Sequence, residues 1–216
     1  MDDAGRQQAS HAVMSMEVKT KRYERTMKME AWSQGTERSL IRILEPAKDA
    51  GVSTLKVDEN LWNYLPNIDR TMKVPAGMMS GSWMGSHLSN DDLVRETRFS
   101  DDYSCTLTST LAAEPVGQYI IDCKPHEDAP VVWSRVTFAV RQDLVPVTQD
   151  FYDEDGVKVR TLTFEDVKDV DGTPTAMTMR IIPHDKPGEY TLFRYLELDL
   201  APQIPEGLFT LQSLKK

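Results

Sequence analysis

Apolar and polar residues alternate with a period of two along much of this 216-residue chain, which is the period of a β-strand and not of a helix. Met14, Met16 and Val18 alternate with Ser15, Glu17 and Lys19. Within 131–141, Val132, Ser134, Val136 and Phe138 run against Trp133, Arg135 and Thr137, and the segments 157–164, 176–182 and 190–200 repeat the style. In the last of these Leu192, Leu196, Leu198 and Leu200 share one face while Phe193 and Tyr195 share the other, so both faces are partly apolar. Asp153-Glu154-Asp155-Gly156 and Asp169-Val170-Asp171-Gly172 each end in Asp-Gly, a strong hairpin signal, and together these features predict an antiparallel meander. A Ca²⁺-binding EF-hand would need ligands spread over a 12-residue loop between helices. Strands flank these acidic turns instead, so plain turns are expected. Helical signals are sparse: residues 3–12 read as the tail of an amino-terminal helix, and Ser89-Asn90-Asp91-Asp92 is a capping box that predicts a helix over about 90–95. With no repeats and no Gly/Ser linkers, one mainly β (α+β) domain over 1–216 is expected.

Lys and Arg total 25 against 34 Asp and Glu, and the resulting net charge of −9 argues against a nucleic-acid partner, which needs a clustered basic face. No run reaches the ~18 apolar residues of a membrane-spanning helix. The start, Met1-Asp2-Asp3-Ala4-Gly5-Arg6, lacks the basic and apolar regions of a signal peptide, and no nearby Cys could carry a lipid. The expectation is a soluble chain, either cytosolic or a mature form whose signal has been removed.

Cys105 and Cys123 are too few for a disulfide scaffold and too far apart for a CxxC motif. If 103–109 and 118–124 are arms of a hairpin turning near Glu114 and Pro115, the two cysteines fall opposite one another, where Cβ atoms stand roughly 4.5–5.5 Å apart. A cross-strand disulfide and a pair of buried free thiols are both compatible with that placement.

Catalytic motifs are scarce. His11, His87, His126 and His184 lack metal-ligand spacing, and no Gly-rich phosphate loop or dinucleotide fingerprint is present, so neither a metal nor a cofactor is expected. Gly81-Ser82-Trp83-Met84-Gly85 has the outline of a nucleophile elbow, but Trp83 stands where the nucleophile belongs. Ser82, Ser86, His87, Asp91 and Asp92 cluster locally, whereas triad members ordinarily come from separate elements. A non-enzymatic protein is therefore expected, with a lipid hydrolase as the weaker alternative.

The stretch from Pro75 to Glu96 is rich in Met and Trp with small spacers, containing Met78, Met79, Trp83, Met84 and Leu88. Such side chains offer large, adaptable apolar area suited to a soft ligand; the plainer reading is a plug that closes a β core. The runs Arg38-Ser-Leu-Ile-Arg42-Ile-Leu-Glu-Pro46-Ala-Lys-Asp-Ala-Gly51, Leu61-Trp62-Asn63-Tyr64-Leu65-Pro66 and Ser82-Trp83-Met84-Gly85-Ser86 with Asp91-Asp92-Leu93, followed by Phe151–Gly156 and Leu208-Phe209-Thr210, resemble the outer-membrane lipoprotein-sorting (LolA-like) family over about residues 13–214. The match is to that family's uncharacterised periplasmic branch.

The resemblance implies a strongly curved antiparallel sheet forming an incomplete barrel, an apolar concave face, and short helices over 75–95 acting as a lid. It implies a periplasmic carrier of the acyl chains of a lipoprotein or lipid, in transient contact with membranes and docking an inner-membrane transporter, or an envelope-sensing or protein-binding module on the same fold. By motif position Trp62 and Tyr64 fall on the family's Trp-x-Tyr strand and Met78–Leu93 on its lid. An arginine that latches the lid would be Arg38 or Arg42. Candidate lining residues are Met14, Met16, Trp62, Tyr64, Met78, Met79, Trp83, Met84, Leu88, Tyr119, Trp133, Phe138, Met177 and Met179.

Overall fold

The computed structural model describes residues 9–95, 102–112 and 117–216, with the backbone alone for Arg95. Thirteen strands form one sheet: β1 (Ala9–Lys19), β2 (Glu24–Gln34), β3 (Arg38–Glu45), β4 (Ser53–Val57), β5 (Asn60–Leu65), β6 (Arg70–Lys73), β7 (Tyr103–Leu111), β8 (Gln118–Pro125), β9 (Arg135–Arg141), β10 (Pro146–Tyr152), β11 (Lys158–Val170), β12 (Thr173–Pro183) and β13 (Tyr190–Asp199). Their order is β6-β5-β4-β3-β2-β1-β13-β12-β11-β10-β9-β8-β7, and the pairings are antiparallel. The chain is thus two meanders joined where β1 pairs with β13, and β6 and β7 remain as edges.

The sheet is strongly curved. Six strand spacings separate β3 from β10, roughly 29 Å on a flat sheet at about 4.8 Å per strand. Ile41 of β3 and Pro146 of β10 nonetheless line the same cavity of about 500 Å³, which requires the sheet to curl. The result is an unclosed half-barrel, as the resemblance implied.

Alternation decides which side chains enter the concavity. Met14, Met16 and Val18 of β1 face the same way as Met29 of β2, Ile43 of β3, Leu162 of β11, Ile181 of β12 and Phe193 of β13, and they form the main apolar cluster. A second cluster lies on the opposite face of β3–β5, where Leu40, Leu55 and Tyr64 pack under Leu208, Phe209 and Leu214 of the carboxy-terminal segment. Arg42 donates to the Ser213 carbonyl oxygen at 2.8 Å and fastens that segment to the sheet.

Several local expectations shift. Residues 9–12 belong to β1 and not to a helix, because Ala9–Ala12 pair with Gln34–Ala31 of β2; residues 1–8 lie outside the description. The strand expected over 131–141 begins only at Arg135. The turn near Glu114 and Pro115 falls among residues not described. The helix expected at 90–95 is present as α1 (Asn90–Arg95), and both halves of its capping box form: Asp92 N–H donates to Ser89 Oγ at 3.0 Å, and Ser89 N–H to Asp92 Oδ2 at 2.8 Å.

Cys105 and Cys123 stand in register on β7 and β8, with Cα atoms 4.1 Å apart, and are joined by a disulfide. The bond closes a loop with sequence separation 18. Replacing both cysteines by Ala is expected to lower unfolding stability by about 3 kcal/mol, measured by urea denaturation of the oxidised protein against the double variant. An unchanged midpoint would count against the bridge.

Candidate functional site

Residues 75–95 cross the concave face as two 3₁₀ turns, Ala76–Met78 and Trp83–Gly85, followed by α1. The segment is internally tied. Trp83 N–H donates to the Leu88 carbonyl at 2.7 Å, Asn90 N–H to Gly81 at 2.9 Å and Asp91 N–H to Met79 at 2.8 Å, so much of the covering backbone meets its hydrogen-bond needs within the segment. Gly85 adopts φ +70°, and a Cβ there would lie 2.9 Å from the Tyr23 hydroxyl, which donates to the Gly85 carbonyl at 2.6 Å. Only glycine meets both demands without strain.

Trp83 is the centre of the cover. Its indole is 97% buried, in contact with the main cluster, and its Nε1–H donates to Thr54 Oγ1 at 3.1 Å. Thr54 in turn donates to Asn63 Oδ1 at 2.8 Å.

Three polar ties hold the rim. Arg160 of β11 donates from Nη1 to Asp92 Oδ2 at 2.8 Å and from Nη2 to Asp92 Oδ1 at 3.0 Å, a bidentate pair with both side chains largely buried. The same guanidinium lies 4.2 Å from the Phe151 ring centroid and 4.9 Å from that of Trp133, two rings that also meet each other at 5.2 Å, so it packs against an aromatic pair. Buried Lys56 donates to the Val94 carbonyl at 3.1 Å at the end of α1, where the helix carbonyls favour a cation. His87 meets Thr191 Oγ1 through Nδ1 at 2.8 Å and Glu189 Oε2 through Nε2 at 3.2 Å. The Lys21 backbone N–H and His87 hold the Glu189 carboxyl below its ordinary value.

Hydroxyl, imidazole and carboxylate therefore do meet at Thr191, His87 and Glu189, in an order that resembles a nucleophilic triad. Thr191 has no exposed surface, however, and its hydroxyl oxygen also accepts the His87 N–H at 3.0 Å, so the group is a clamp. Ser82 and Ser86 donate to the carbonyls of Ser86 and Trp83 and do not assemble with His87. Among the described residues no cluster of three His, Cys, Asp or Glu could hold a metal ion.

Beneath the cover a cavity of about 500 Å³ remains. Trp83, Leu88 and Leu93 roof it, and Met14, Met29, Ile41, Phe164, Met179 and Phe193 form its walls. Thr173–Ala176, Arg194, Tyr195, Leu200 and the β9–β10 turn with Leu144 complete the lining. Leu144 takes φ +69°, a conformation costly for leucine, at a turn where Asp143-Leu144 stands in place of Asp-Gly, and half of its surface is exposed. On the outer side of the cover lies a second cleft of about 740 Å³, of mixed lining that includes Tyr23, Ser82, His87, Asp91, Trp133 and Lys186.

The sequence-derived candidates thus separate. Met14, Trp83, Leu88 and Met179 line the apolar cavity, while Met16 is wholly buried in the cluster beneath it. Met84 and Phe138 pack against that cluster without reaching the cavity, Met79 and Trp133 line the outer cleft, and Met78 is largely exposed. Tyr119 pairs with Val140 on β8 and Met177 lies on β12, both half-buried and away from the cavity wall. Trp62 and Tyr64 belong to the opposite cluster: Trp62 is the register partner of Leu55, whose face packs under the carboxy-terminal segment, so strand parity carries both rings away from the concavity. Arg38 and Arg42 are likewise elsewhere, Arg38 reaching Gln34 at 3.4 Å and Arg42 Ser213. The arginine that ties the cover is Arg160, which no spacing rule connects with Asp92 across 68 residues. The one hint was that Asp92, already spent on the capping box, retains a second oxygen for a partner.

A curved, unclosed antiparallel sheet with an apolar concavity covered by a short segment defines a LolA-like fold, and solved structures agree. A DUF1329 family protein from Desulfovibrio piger matches with TM-score 0.89 at 23% identity, over 99% of this chain and 94% of that one. A putative outer membrane lipoprotein-sorting protein domain from Vibrio parahaemolyticus matches at TM-score 0.81 and 20% identity over 96% and 92%, and a LolA superfamily protein from Nitrosomonas europaea at 0.76 and 20% over 96% and 92%. No curated protein matches the sequence. The chain belongs to an uncharacterised-protein family whose model matches residues 35–216.

Burial alone would raise the Asp92 carboxyl, but the bonds from Arg160 and Ser89 outweigh it and hold it below the usual carboxylate range. A carboxyl lowered on folding contributes stability that is fully present above its unfolded value of about 3.9 and lost as pH falls through the folded value. Amide exchange over 83–94 should therefore be unchanged from about pH 8 to 5, after correction for intrinsic rates, and accelerate below about 4. Asp92→Asn should release the segment at neutral pH and lower stability by about 3 kcal/mol, since it leaves a buried guanidinium without its counter-charge. Unaltered protection over 83–94 in that variant would contradict this role for the pair.

Proposed function

We propose that the protein is a non-enzymatic carrier that shields an acyl chain of a lipoprotein or lipid in the cavity between the concave sheet and residues 75–95, which act as its lid. The observation that carries this reading is the cavity itself. At about 500 Å³, apolar on nearly all sides, it falls in the range of small-ligand pockets, roughly 300–1,000 Å³. Its walls use Met14, Met29 and Met179, side chains that reshape around a flexible guest. The driving force is large, at ~0.8 kcal/mol per buried methylene.

The lid supplies the means of entry. Polar ties at its rim can open without dismantling the sheet, whereas Trp83, Leu88 and Leu93 meet either the ligand or the cluster beneath. Loading at one membrane and release at another would need partner contacts at the cavity mouth, where Leu144 and Tyr195 are exposed. An inner-membrane transporter is a fitting donor. Likeness to the Vibrio protein, a putative outer membrane lipoprotein-sorting domain, points toward transfer to the outer membrane. The Cys105–Cys123 disulfide supports an oxidising compartment, the periplasm, and among the described residues no helix is long and apolar enough to cross a membrane. A protein-binding or sensing module would use the same concave face, but a filled core with a flat patch would suit it better than an open cavity.

Native mass spectrometry of protein purified from bacteria should show added mass in the range of an acylated molecule. Ala176→Phe, which places a ring into the cavity wall, should reduce uptake of a fluorescent fatty acid at least tenfold with thermal stability changed little. Protein that arrives empty and takes up no fatty acid would refute the carrier reading.

A further inference from the structure

Where the cover meets β10 and β11, the outer cleft narrows into a chamber of about 70 Å³. Ser89, Asp91, Asp92, Val132, Trp133 and Arg160 line both spaces, so the chamber is the inner end of the cleft. Of the chamber's lining only Leu88 also lines the acyl cavity. A ligand therefore reaches the chamber from solvent, along the cleft, without the cover opening.

Two polar groups in the chamber wall are unspent. Gln149 of β10 is 94% buried there, and among the described residues its carboxamide makes no hydrogen bond. Unlike Arg160 Nε, that carboxamide is not sealed off, so its polar atoms open on the chamber. Asp102 is half-buried in the same wall, and among the described residues its carboxylate makes neither a hydrogen bond nor an ion pair. Buried polar groups ordinarily have partners, and a carboxylate and an amide left over in one small space point to a guest that donates hydrogen bonds.

The surroundings set the guest's charge. Arg160 spends both terminal nitrogens on Asp92, which matches its charge, and so offers nothing to an incoming anion. Asp91 also lines the chamber and has a partner of its own. The Asp102 charge is left without a counterion. The Tyr103 phenol, pushed up to about 12 by burial and then by Asp102, stays neutral, and its ring and that of Trp133 present aromatic surface that attracts cations. Size narrows the class. The chamber holds roughly five water-sized spheres, room for a compact ammonium whose methylene stem lies along Val132 and Trp133 in the cleft.

We propose that the chamber and its cleft bind a primary ammonium group on an unbranched methylene stem, with the Asp102 carboxylate and the Gln149 carboxamide oxygen as acceptors and the Tyr103 and Trp133 rings as walls. A lysine side chain of a polypeptide and a free diamine both carry that group. The site is separate from the acyl cavity and needs no acyl ligand.

Calorimetric titration of the intact protein with a capped Ala-Ala-Lys-Ala-Ala peptide, with the same peptide acetylated at the lysine Nζ, and with cadaverine tests the assignment and distinguishes the two sources. The lysine peptide, cadaverine or both should bind, and acetylation should weaken any peptide binding at least tenfold. Asp102→Asn should weaken ammonium binding at least tenfold and Gln149→Leu about fivefold. In the unaltered protein the Trp133 indole N–H resonance should shift during the titration. Binding of the peptide alone would support the site with a polypeptide as the source, and binding of cadaverine alone would support it with a small amine. No binding of either up to about 5 mM would overturn the proposal, and that result needs no variant to fold. Equal affinity of the acetylated and unmodified peptides, or an affinity unmoved in Asp102→Asn, would overturn it as well.

Discussion

A sheet that curls without closing cannot cover its own concave face, and here that face carries Met14, Met16, Val18, Met29, Ile43, Phe164 and Phe193. Exposing it would cost about 25 cal/mol for each Å² of apolar surface, so the rest of the structure is organised around covering it. The cover is a 21-residue segment with little regular structure, whose backbone is satisfied largely by its own turns. It buries Trp83 and Leu88 but does not fill the hollow, and the space left over is the candidate binding site.

The attachment of the cover divides by chemistry. Apolar contacts occupy its centre, where they can be exchanged for contacts with a ligand at small net cost. Directional, polar contacts occupy its rim: Arg160 with Asp92, Lys56 with the end of α1, and His87 with Thr191 and Glu189. Removing one member of a buried ion pair is expensive because the other is left uncompensated. Arg160 joins the two themes, since its guanidinium packs against the Trp133–Phe151 ring pair and ties the cover through Asp92.

The architecture was largely legible in the sequence because period-two alternation and Asp-Gly turns are local signals, and tertiary contacts reinforce them. The helix at 90–95 was legible for the same reason: Ser89 and Asp92 cap it within one turn. The opposition of Cys105 and Cys123 followed from hairpin symmetry even though the turn itself is not described. The site was less legible. Trp62 and Tyr64 alternate as cavity residues would, but alternation does not say which face is concave, and the carboxy-terminal segment claims theirs. Arg38 and Arg42 have the right chemistry on the wrong strand. Trp133 sits in an irregular stretch before β9 where the alternation of 131–141 stops being strand-like, and its partner Arg160 is fixed only by the long-range register of β10 and β11.

Methionine methyl groups offer a direct view of the central claim, that the concavity receives an acyl chain. In protein labelled at the methionine methyls, titration with a short-chain acyl ligand should shift the resonances of Met14, Met29 and Met179, which line the cavity, and leave those of exposed Met72 and Met78 in place. Nuclear Overhauser contacts from the ligand chain to the first three would locate it. Saturating ligand that leaves Met14, Met29 and Met179 unmoved would contradict the account.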